Sequence, residues 1–494
     1  MNWRLSIIAI TISLLGGCSL APEYEQPQST LPDSFSNGKS SESQAISDAQ
    51  LETWWTAFGD DVLNALIERA LTENFDLQAA AQRVLAARAN LGFAKANQWP
   101  TLTGNSTIAR QDYPNTLNPN GASQGGPQDS FQLIGMLDYE IDLWGKLANA
   151  SNASREELLA TAYSYETVRT TLAAEVATTY FMLLATQRQV AITEDTIRSR
   201  QEAFDIQSVR RDSGAITELE KQQAAAELAA ANAELPSLNE QASLLTTSLA
   251  VLVGASPKEI WSEPTVQENR FILPPPPQTN LDQAPVSLLA RRPDIVAAES
   301  QARALTYQIG VVKAERWPTV TVGALGGLIS DPMGKVFSDD NATWSITGMV
   351  TGTLYDFGRN AARVEASEAY QNEALIRYEQ VVQQAFRELK DAVDQLNYSE
   401  RRIDARRAHL DAINLTVDLA QSRYRAGLTS YLDLLSAQNT QFNVELTLVN
   451  AWLDRYLASV ELYKALGGGW EVPAKREDVI LVGRLDVDQD MPAE

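Results

Sequence analysis

The chain has 494 residues, 44% of them hydrophobic, and a formal charge of −23, so it can bury a core and offers no basic face to nucleic acid. Its mean hydropathy of −0.22 is too polar for a bundle of membrane-spanning helices. One cysteine, Cys18, and one histidine, His409, exclude an internal disulfide and poorly supply a thiol-rich metal site or a His-centred catalytic site. No metal or other cofactor is expected. His409 reads as a surface helix residue.

The N-terminus, "MNWRLSIIAITISLLGGC", is built for export. Arg4 supplies the positive start and Leu5 to Leu15 the apolar run, which is too short to span a bilayer as a helix. Leu-Gly-Gly before Cys18 resembles the lipobox of bacterial lipoproteins, where small residues admit a peptidase and the thiol takes the lipid. Residues 1–17 thus read as a signal peptide, and residues 18–50, rich in Ser, Gln, Pro and Asn, as a lipidated tether. Ser19 stands where inner-membrane lipoproteins often carry Asp, which points to the outer membrane. A lipid chain anchors a protein to a leaflet without making it span.

Next come two copies of one design. "AKANQWPTLT" at 94–103 returns as "VKAERWPTVT" at 312–321. Later a constant shift relates Gly145 to Gly358, Gly214 to Gly427 and Gly254 to Gly467. The copies span 51–269 and 288–472. A Pro-rich strap, 270–287, joins them, and an acidic tail covers 473–494.

In the first copy a helix is expected over 62–97, ending at the Trp-Pro-Thr of 99–101, since Pro100 disfavours helix before it and donates no hydrogen bond. Strands follow at about 101–112 and 130–143, with a loop at 113–129. Residues 131–143 place Phe131, Leu133, Gly135, Leu137, Tyr139, Ile141 and Leu143 on odd positions, against Gln132, Ile134, Met136, Asp138, Glu140 and Asp142 on even ones. That alternation is the weak mark of a transmembrane β-strand, or of a soluble sheet with one wet face. A long helix is expected at about 148–212, ~97 Å at 1.5 Å per residue, and a return helix at about 216–253. Pro236 predicts a bend in the latter. The second copy repeats the plan: strands at about 319–330 and 343–356 around a loop at 331–342, a long helix at about 361–425 and a return helix at about 429–466. Val176, Leu183, Val190, Ile197 and Phe204 step by seven, as do Leu389, Leu396, Ile403, Leu410 and Val417. Such heptads mean long helices packed along a coiled-coil-like seam. The two shorter helices of each half, end to end, match the long one.

The fold class expected is therefore mainly α with a small β part. Four strands cannot close a membrane barrel, and open edges are not tolerated in lipid. If the strands span, several chains share one barrel and their helices gather into a tube beneath it.

"DYEIDLWGK" (138–146), "LARRPDIVAAESQARA" (289–304), "RYRAGLTSYLDLLSAQ" (423–438) and "LGGGW" (466–470) closely resemble the TolC-type outer-membrane efflux proteins. The lipobox and the Arg-Arg-Pro-Asp stretch point to the NodT-type lipoprotein subgroup. The resemblance covers about 51–472. It implies a homotrimer with a twelve-stranded outer-membrane barrel and a helical tunnel across the periplasm. It also implies a periplasmic adaptor and an inner-membrane RND-type transporter as partners, with drugs or other toxic small molecules as cargo. By the same resemblance the helical turns at 210–220 and 423–433 are the periplasmic tips. Arg211, Gly214, Ala215, Ile216, Gly427, Leu428 and Thr429 would dock the adaptor there. Asp433 matches the family's first gate aspartate and Leu432 an apolar plug, while Ser436 replaces a second aspartate. Glu218 and Tyr424 occupy a latch in which an acid on one hairpin bonds a tyrosine hydroxyl on the other. The alternative for Asp433 and Glu218 is a solvated carboxylate at a helix start.

No Gly-rich phosphate loop, HExxH motif or nucleophile elbow appears, so no catalytic residue is expected. Two further readings stay open: the exit duct of a type I protein secretion system, and a non-channel periplasmic coiled-coil lipoprotein.

Overall fold

A computed structural model describes residues 19–27, 48–111, 127–262, 291–331, 337–473 and 475–479. The signal peptide, Cys18 and the strap at 270–287 lie outside these. The helices are α1 (Asp61–Glu73), α2 (Phe75–Ala96), α3 (Lys146–Asp212), α4 (Glu218–Leu252), α5 (Pro257–Ser262), α6 (Pro293–Ala314), α7 (Arg359–Arg425) and α8 (Tyr431–Ala465). The strands are β1 (Thr101–Gln111), β2 (Gln128–Ile141), β3 (Thr319–Ser330) and β4 (Ala342–Thr351). A short helix, Asp48–Glu52, and a 3-10 turn, Trp54–Phe58, precede α1. Among the described residues no helix is long and apolar enough to cross a membrane.

The duplication is conserved in element lengths. Helices α2 and α6 have 22 residues each, α3 and α7 have 67, and α4 and α8 have 35. At 1.5 Å per residue the long pair each extend about 100 Å. Sequence and structure differ at one joint: the helix expected over 62–97 is two helices. Asn74 breaks it with an extended backbone, φ −65 and ψ 129. Its Oδ1 accepts from the Asp76 and Leu77 amides, and its Nδ2 donates to the Leu252 carbonyl. An Asn that satisfies orphan amides at a new helix start competes with helix continuation. Helix α4 runs without interruption through Pro236.

The chain divides into two compact units. One comprises Met1–Gln28, Val84–Thr161 and Ala298–Tyr378, and the other Ser29–Arg83, Ala162–Ala297 and Glu379–Glu494. The first holds one four-stranded sheet in the order β1-β2-β3-β4, with every pair antiparallel. Strand β4 ends at Thr351, short of the expected 356, and β2 at Ile141, short of 143. Pro318 explains both. It precedes β3 and has no amide to extend the ladder, and Gly352 packs on its ring. Asp356 then accepts from the Gly358 and Asn360 amides and starts α7.

Register decides what this sheet is. Leu137 lies opposite Leu102 and Ala324, and Ala324 opposite Ile346. Leu133 pairs with Ser106 and Leu328. Side chains alternate across a sheet, so Leu102, Ile108, Phe131, Leu133, Leu137, Val320, Leu328, Trp344, Ile346 and Val350 share one face. Thr101, Thr103, Asn105, Gln132, Asp138, Glu140, Thr321, Thr343, Ser345 and Thr347 lie on the other, together with Ile134, Met136, Leu325, Ile329 and Met349. Three independent pairings thus align the apolar alternation of all four strands. On the apolar face Leu102, Ile108, Leu133, Leu137, Trp344, Ile346 and Val350 are exposed, Trp344 at 77%, and Phe131, Val320 and Leu328 are half-buried.

The second unit contains the main aromatic core. Trp54 stacks on Tyr463 at 5.5 Å and Phe181 on Tyr456 at 4.7 Å, with Phe58 between them. The heptad positions Val176, Leu183 and Leu389 are fully buried. Tyr180 donates to Asp60, whose other oxygen caps α1. Burial pushes the Tyr180 hydroxyl well above its ordinary range, and the Asp60 bond adds to it.

Candidate functional site

The tips of the two helical hairpins are built alike. Arg210 and Arg211 carbonyls accept from the Ala215 and Gly214 amides, and Arg423 and Tyr424 carbonyls from the Leu428 and Gly427 amides. Gly214 and Gly427 take φ +75 and +74, the left-handed turn that ends a helix at low cost only with glycine. Each return helix then begins with a capping box. Thr217 pairs reciprocally with Glu220 at α4, and Ser430 with Asp433 at α8. These boxes satisfy amides that a helix start leaves without partners.

Asp433 therefore sits as a cap. Its Oδ2 accepts from Ser430 Oγ and Thr429 Oγ1, each at 2.7 Å, and from the Ser430 amide at 3.1 Å. The Ser430 and Thr429 hydroxyls, with the Ser430 amide and the charge of Arg423, hold its carboxyl below the usual range. It is a solvent-facing, ionised group at the tip. Leu432 and Leu428 beside it are exposed, at 56% and 69%. Arg211, Gly214, Ala215 and Gly427 are exposed, while Ile216 and Thr429 are half-buried.

Within the chain the structure does not bring Glu218 and Tyr424 together, contrary to the latch expected. Glu218 stays on its own hairpin: Gln222 donates to its Oε1 and Arg211 to its Oε2, at 2.9 and 2.8 Å. The Gln222 bond first, then Arg211, draws the Glu218 carboxyl below its ordinary value. Tyr424 Oη accepts instead from Gln207 Nε2 and Arg210 Nη1, both at 2.8 Å. The Arg210 guanidinium also lies 5.4 Å from the Tyr424 ring centre. The reason is proximity: Arg211 is seven residues from Glu218 across a tight turn, whereas α3 itself packs beside α7. So the tyrosine is fastened across hairpins by a cation and an amide. Beneath it Ala224, Tyr431 and Leu435 form a buried cluster, with Phe204 and Tyr424 against it. Further from the tips, α3, α4, α7 and α8 part around a cleft of ≈ 850 Å³ lined by Arg200, Glu227, Phe442 and Trp452.

Gln207 and Arg210 escaped the sequence reading, yet a signal existed. Three residues beyond each of the last four apolar heptad positions of α3 stands a polar residue: Thr186, Thr193, Arg200, Gln207. All but Arg200 are at most 3% exposed. The two threonines bond their own helix, to Met182 and Gln189 carbonyls. Arg200 reaches the Glu227 carbonyl and Asn439, and Gln207 reaches Tyr424. This polar stripe turns from self-bonded to cross-hairpin as it nears the tip.

Cys18 lies outside the described residues, but its neighbours are placed. Ser19 donates to Asn149 in the first turn of α3, and Ala21 packs against Gly310 of α6. Tyr24 lies under the Arg303 guanidinium, 4.4 Å away, and Gln26 donates to Tyr378. The chain after Cys18 is thus pinned beside the start of α3, five residues past the end of β2.

Comparison with known proteins agrees with this architecture. The family profile "Outer membrane efflux protein" matches residues 66–255 and 284–468. The chain is 31% identical to "Outer membrane protein OprJ" of Pseudomonas aeruginosa over 94% of its own length and 95% of that protein's. It is 28% identical to "Probable outer membrane lipoprotein SilC" of Salmonella typhimurium, over 95% and 99%. The solved structure of the outer-membrane channel OprN superposes with a TM-score of 0.84 at 27% identity, covering 92% of this chain and all of that one.

Proposed function

Because the chain belongs to the outer membrane efflux protein family, an outer-membrane channel of tripartite efflux pumps, we propose that three copies share one β-barrel and one helical tube beneath it. The single observation that carries this is the sheet. One face carries most of the large apolar side chains of all four strands, the other mixes hydroxyls, amides and the carboxylates of Asp138 and Glu140 with Ile134, Met136, Leu325, Ile329 and Met349, and β1 and β4 are left as edges with one neighbour each. Lipid accepts the first face and a water-filled lumen the second, but lipid does not accept the edges. Closing the barrel with further copies satisfies all three demands. The two stretches matched by the family profile support tandem repeats at 51–269 and 288–472, joined by the strap at 270–287.

In this reading a periplasmic adaptor grips the exposed tips, from Arg211 to Ile216 and from Gly427 to Thr429, and an RND-type transporter in the inner membrane loads small toxic molecules. In this reading the duct itself is largely passive, so substrate choice belongs to the transporter. The closed state is held by Tyr424 between Gln207 and Arg210, with Leu432 and ionised Asp433 at the tip. Three such aspartates about one axis would repel each other and favour cations. The acyl chain on Cys18 enters the leaflet nearest the strand ends, since Ser19 is fixed within one turn of the start of α3.

The test is conductance of the purified full chain in a planar bilayer. Discrete channel openings are expected. A protein that binds the bilayer through its lipid yet never conducts would overturn the reading.

A further inference from the structure

The cleft between α3 and α8 lies wholly within the second unit, with α4 and α7 at its sides. Its floor is apolar. Ile192 and Val449 belong to one buried cluster, and Phe442 packs against it. Its lower end is barred by Arg200, which donates to the Glu227 carbonyl of α4 and to Asn439 of α8. The same guanidinium lies 5.5 Å from the Phe442 ring centre. No helix can run through that bar, so the space above it suits a small molecule. Trp452 and Phe442 bound that space on α8, about 15 Å apart along the helix at 1.5 Å per residue. The cleft volume of ≈ 850 Å³ lies within the roughly 300–1,000 Å³ of small-ligand sites.

The upper end is basic. Arg188 of α3 and Arg407 of α7 line it. The Arg407 guanidinium lies 4.6 Å from the Trp452 ring centre, and among the described residues no carboxylate is ion-paired with it. Helix α7 carries Arg401, Arg402 and Arg406 just before it, in a chain of formal charge −23. Such a local concentration of positive charge draws anions against the field of the whole chain. Most acids at the cleft are committed elsewhere: Glu227 pairs with Arg200, and Asp195 with Arg198. Glu445 is half-buried; burial disfavours its charged form, and the Arg188 charge partly restores it.

The repeat itself does not call for these side chains. Under the shift that relates Gly214 to Gly427, the image of Arg407 is Glu194, that of Trp452 is Asn239 and that of Phe442 is Ala229. The first hairpin forms with none of the three. The cation and the two aromatic rings are therefore additions to the second hairpin, and all three face one cleft.

We propose that this cleft binds a single-chain amphipathic anion, its carboxylate or sulfate between Arg188 and Arg407 and its alkyl chain laid over Ile192 and Val449 as far as Phe442. Guanidinium groups suit planar and tetrahedral oxyanions because their donors form a fixed fork. Each buried methylene adds about fourfold in affinity. The site lies within one chain, so it does not depend on how copies close a barrel. Its ligands are membrane-active amphiphiles, a class that matches the toxic cargo proposed for the duct.

Tryptophan quenching by 2-bromododecanoate, in the full-length protein held in nanodiscs, tests this. The Trp452→Phe variant supplies the baseline, so the difference isolates Trp452. That difference should saturate, and 2-bromohexanoate should need at least roughly a hundredfold more, as its missing methylenes require. Arg188→Gln and Arg407→Gln should each weaken binding several-fold, and together by about tenfold, as loss of charged hydrogen bonds does. Glu445→Gln should tighten it several-fold, a gain that a damaged cleft would not give. Dodecyltrimethylammonium should not displace the anion. Quenching that rises linearly without saturating, that the cation reverses equally well, that neither arginine change weakens, or that Glu445→Gln weakens would overturn the site.

Discussion

The two hairpin tips differ where their shared plan allows it. Both turn on a glycine at positive φ, and both start the return helix with a capping box. By the repeat shift Asp433 is the image of Glu220, and Tyr424 the image of Arg211. In the first tip the basic residue is used locally, against Glu218. In the second, its image is a tyrosine that reaches across to Gln207 and Arg210 of the other hairpin. The two turns share one backbone plan; where the first carries Arg211 the second carries Tyr424, which serves as a fastener between hairpins. The capping acid stayed, and in the second copy it acquired an extra bond from Thr429.

The helix joints offer the same kind of comparison, and there the largest effect is expected. Gly254 and Gly467 are images with φ +75 and +74. A Cβ at Gly254 would lie 2.3 Å from the Glu73 carbonyl oxygen, but at Gly467 no nearer than 3.4 Å to Arg291. Alanine costs both sites the left-handed backbone term, about 1–2 kcal/mol. Overpacking against rigid backbone adds roughly 1–3 kcal/mol at Gly254 alone. Thermal melting followed by circular dichroism should rank Gly254→Ala well below Gly467→Ala. Equal losses would mean that the first joint relaxes freely.

The next effect separates the fastener from the local pair. Tyr424→Phe removes the shared acceptor and leaves the buried Gln207 amide without its partner, which costs about 1–3 kcal/mol. The closed-to-open ratio in single-channel records should fall by roughly tenfold, as that energy converts at 1.4 kcal/mol per decade. Glu218→Ala should leave the same records unchanged, since its pair with Arg211 is exposed and within one hairpin. If Glu218→Ala opens the channel as Tyr424→Phe does, the expected acid–tyrosine latch operates between copies after all.

The smallest effect concerns the cap. The Asp433 carboxyl is held below its ordinary range by the Ser430 and Thr429 hydroxyls. A depressed folded value means that the cap contributes fully above the unfolded value and is lost as pH falls through the folded one. Corrected amide exchange in the first turn of α8 should stay slow at neutral pH and quicken on acidification. Asp433→Asn should leave that turn equally fast at both.

Most of the helical plan was legible because two strong signals agreed. The heptads in α3 and α7 set the long helices, and the recurring glycines at 145/358, 214/427 and 254/467 marked their ends. The sheet was legible in β4, whose alternation is broken only by Met349, less so in β2, where Ile134 and Met136 take polar positions, and least at the strand ends, where Pro318 and Gly352 govern the ladder from a neighbouring strand. Asn74 was missed because its neighbours are good helix formers, and its capping role depends on the distant Leu252 carbonyl. The Gln207–Tyr424 bond joins residues 217 positions apart. Only the polar companions of the α3 heptad hinted at it, and an apolar pattern search passes over them.

All of this presumes that one chain is a fraction of a pore. The most direct check is the mass of the acylated, full-length particle in detergent, measured by native mass spectrometry. The account predicts three copies per particle. A lone chain that keeps its β-sheet and stays soluble at every detergent concentration would contradict it.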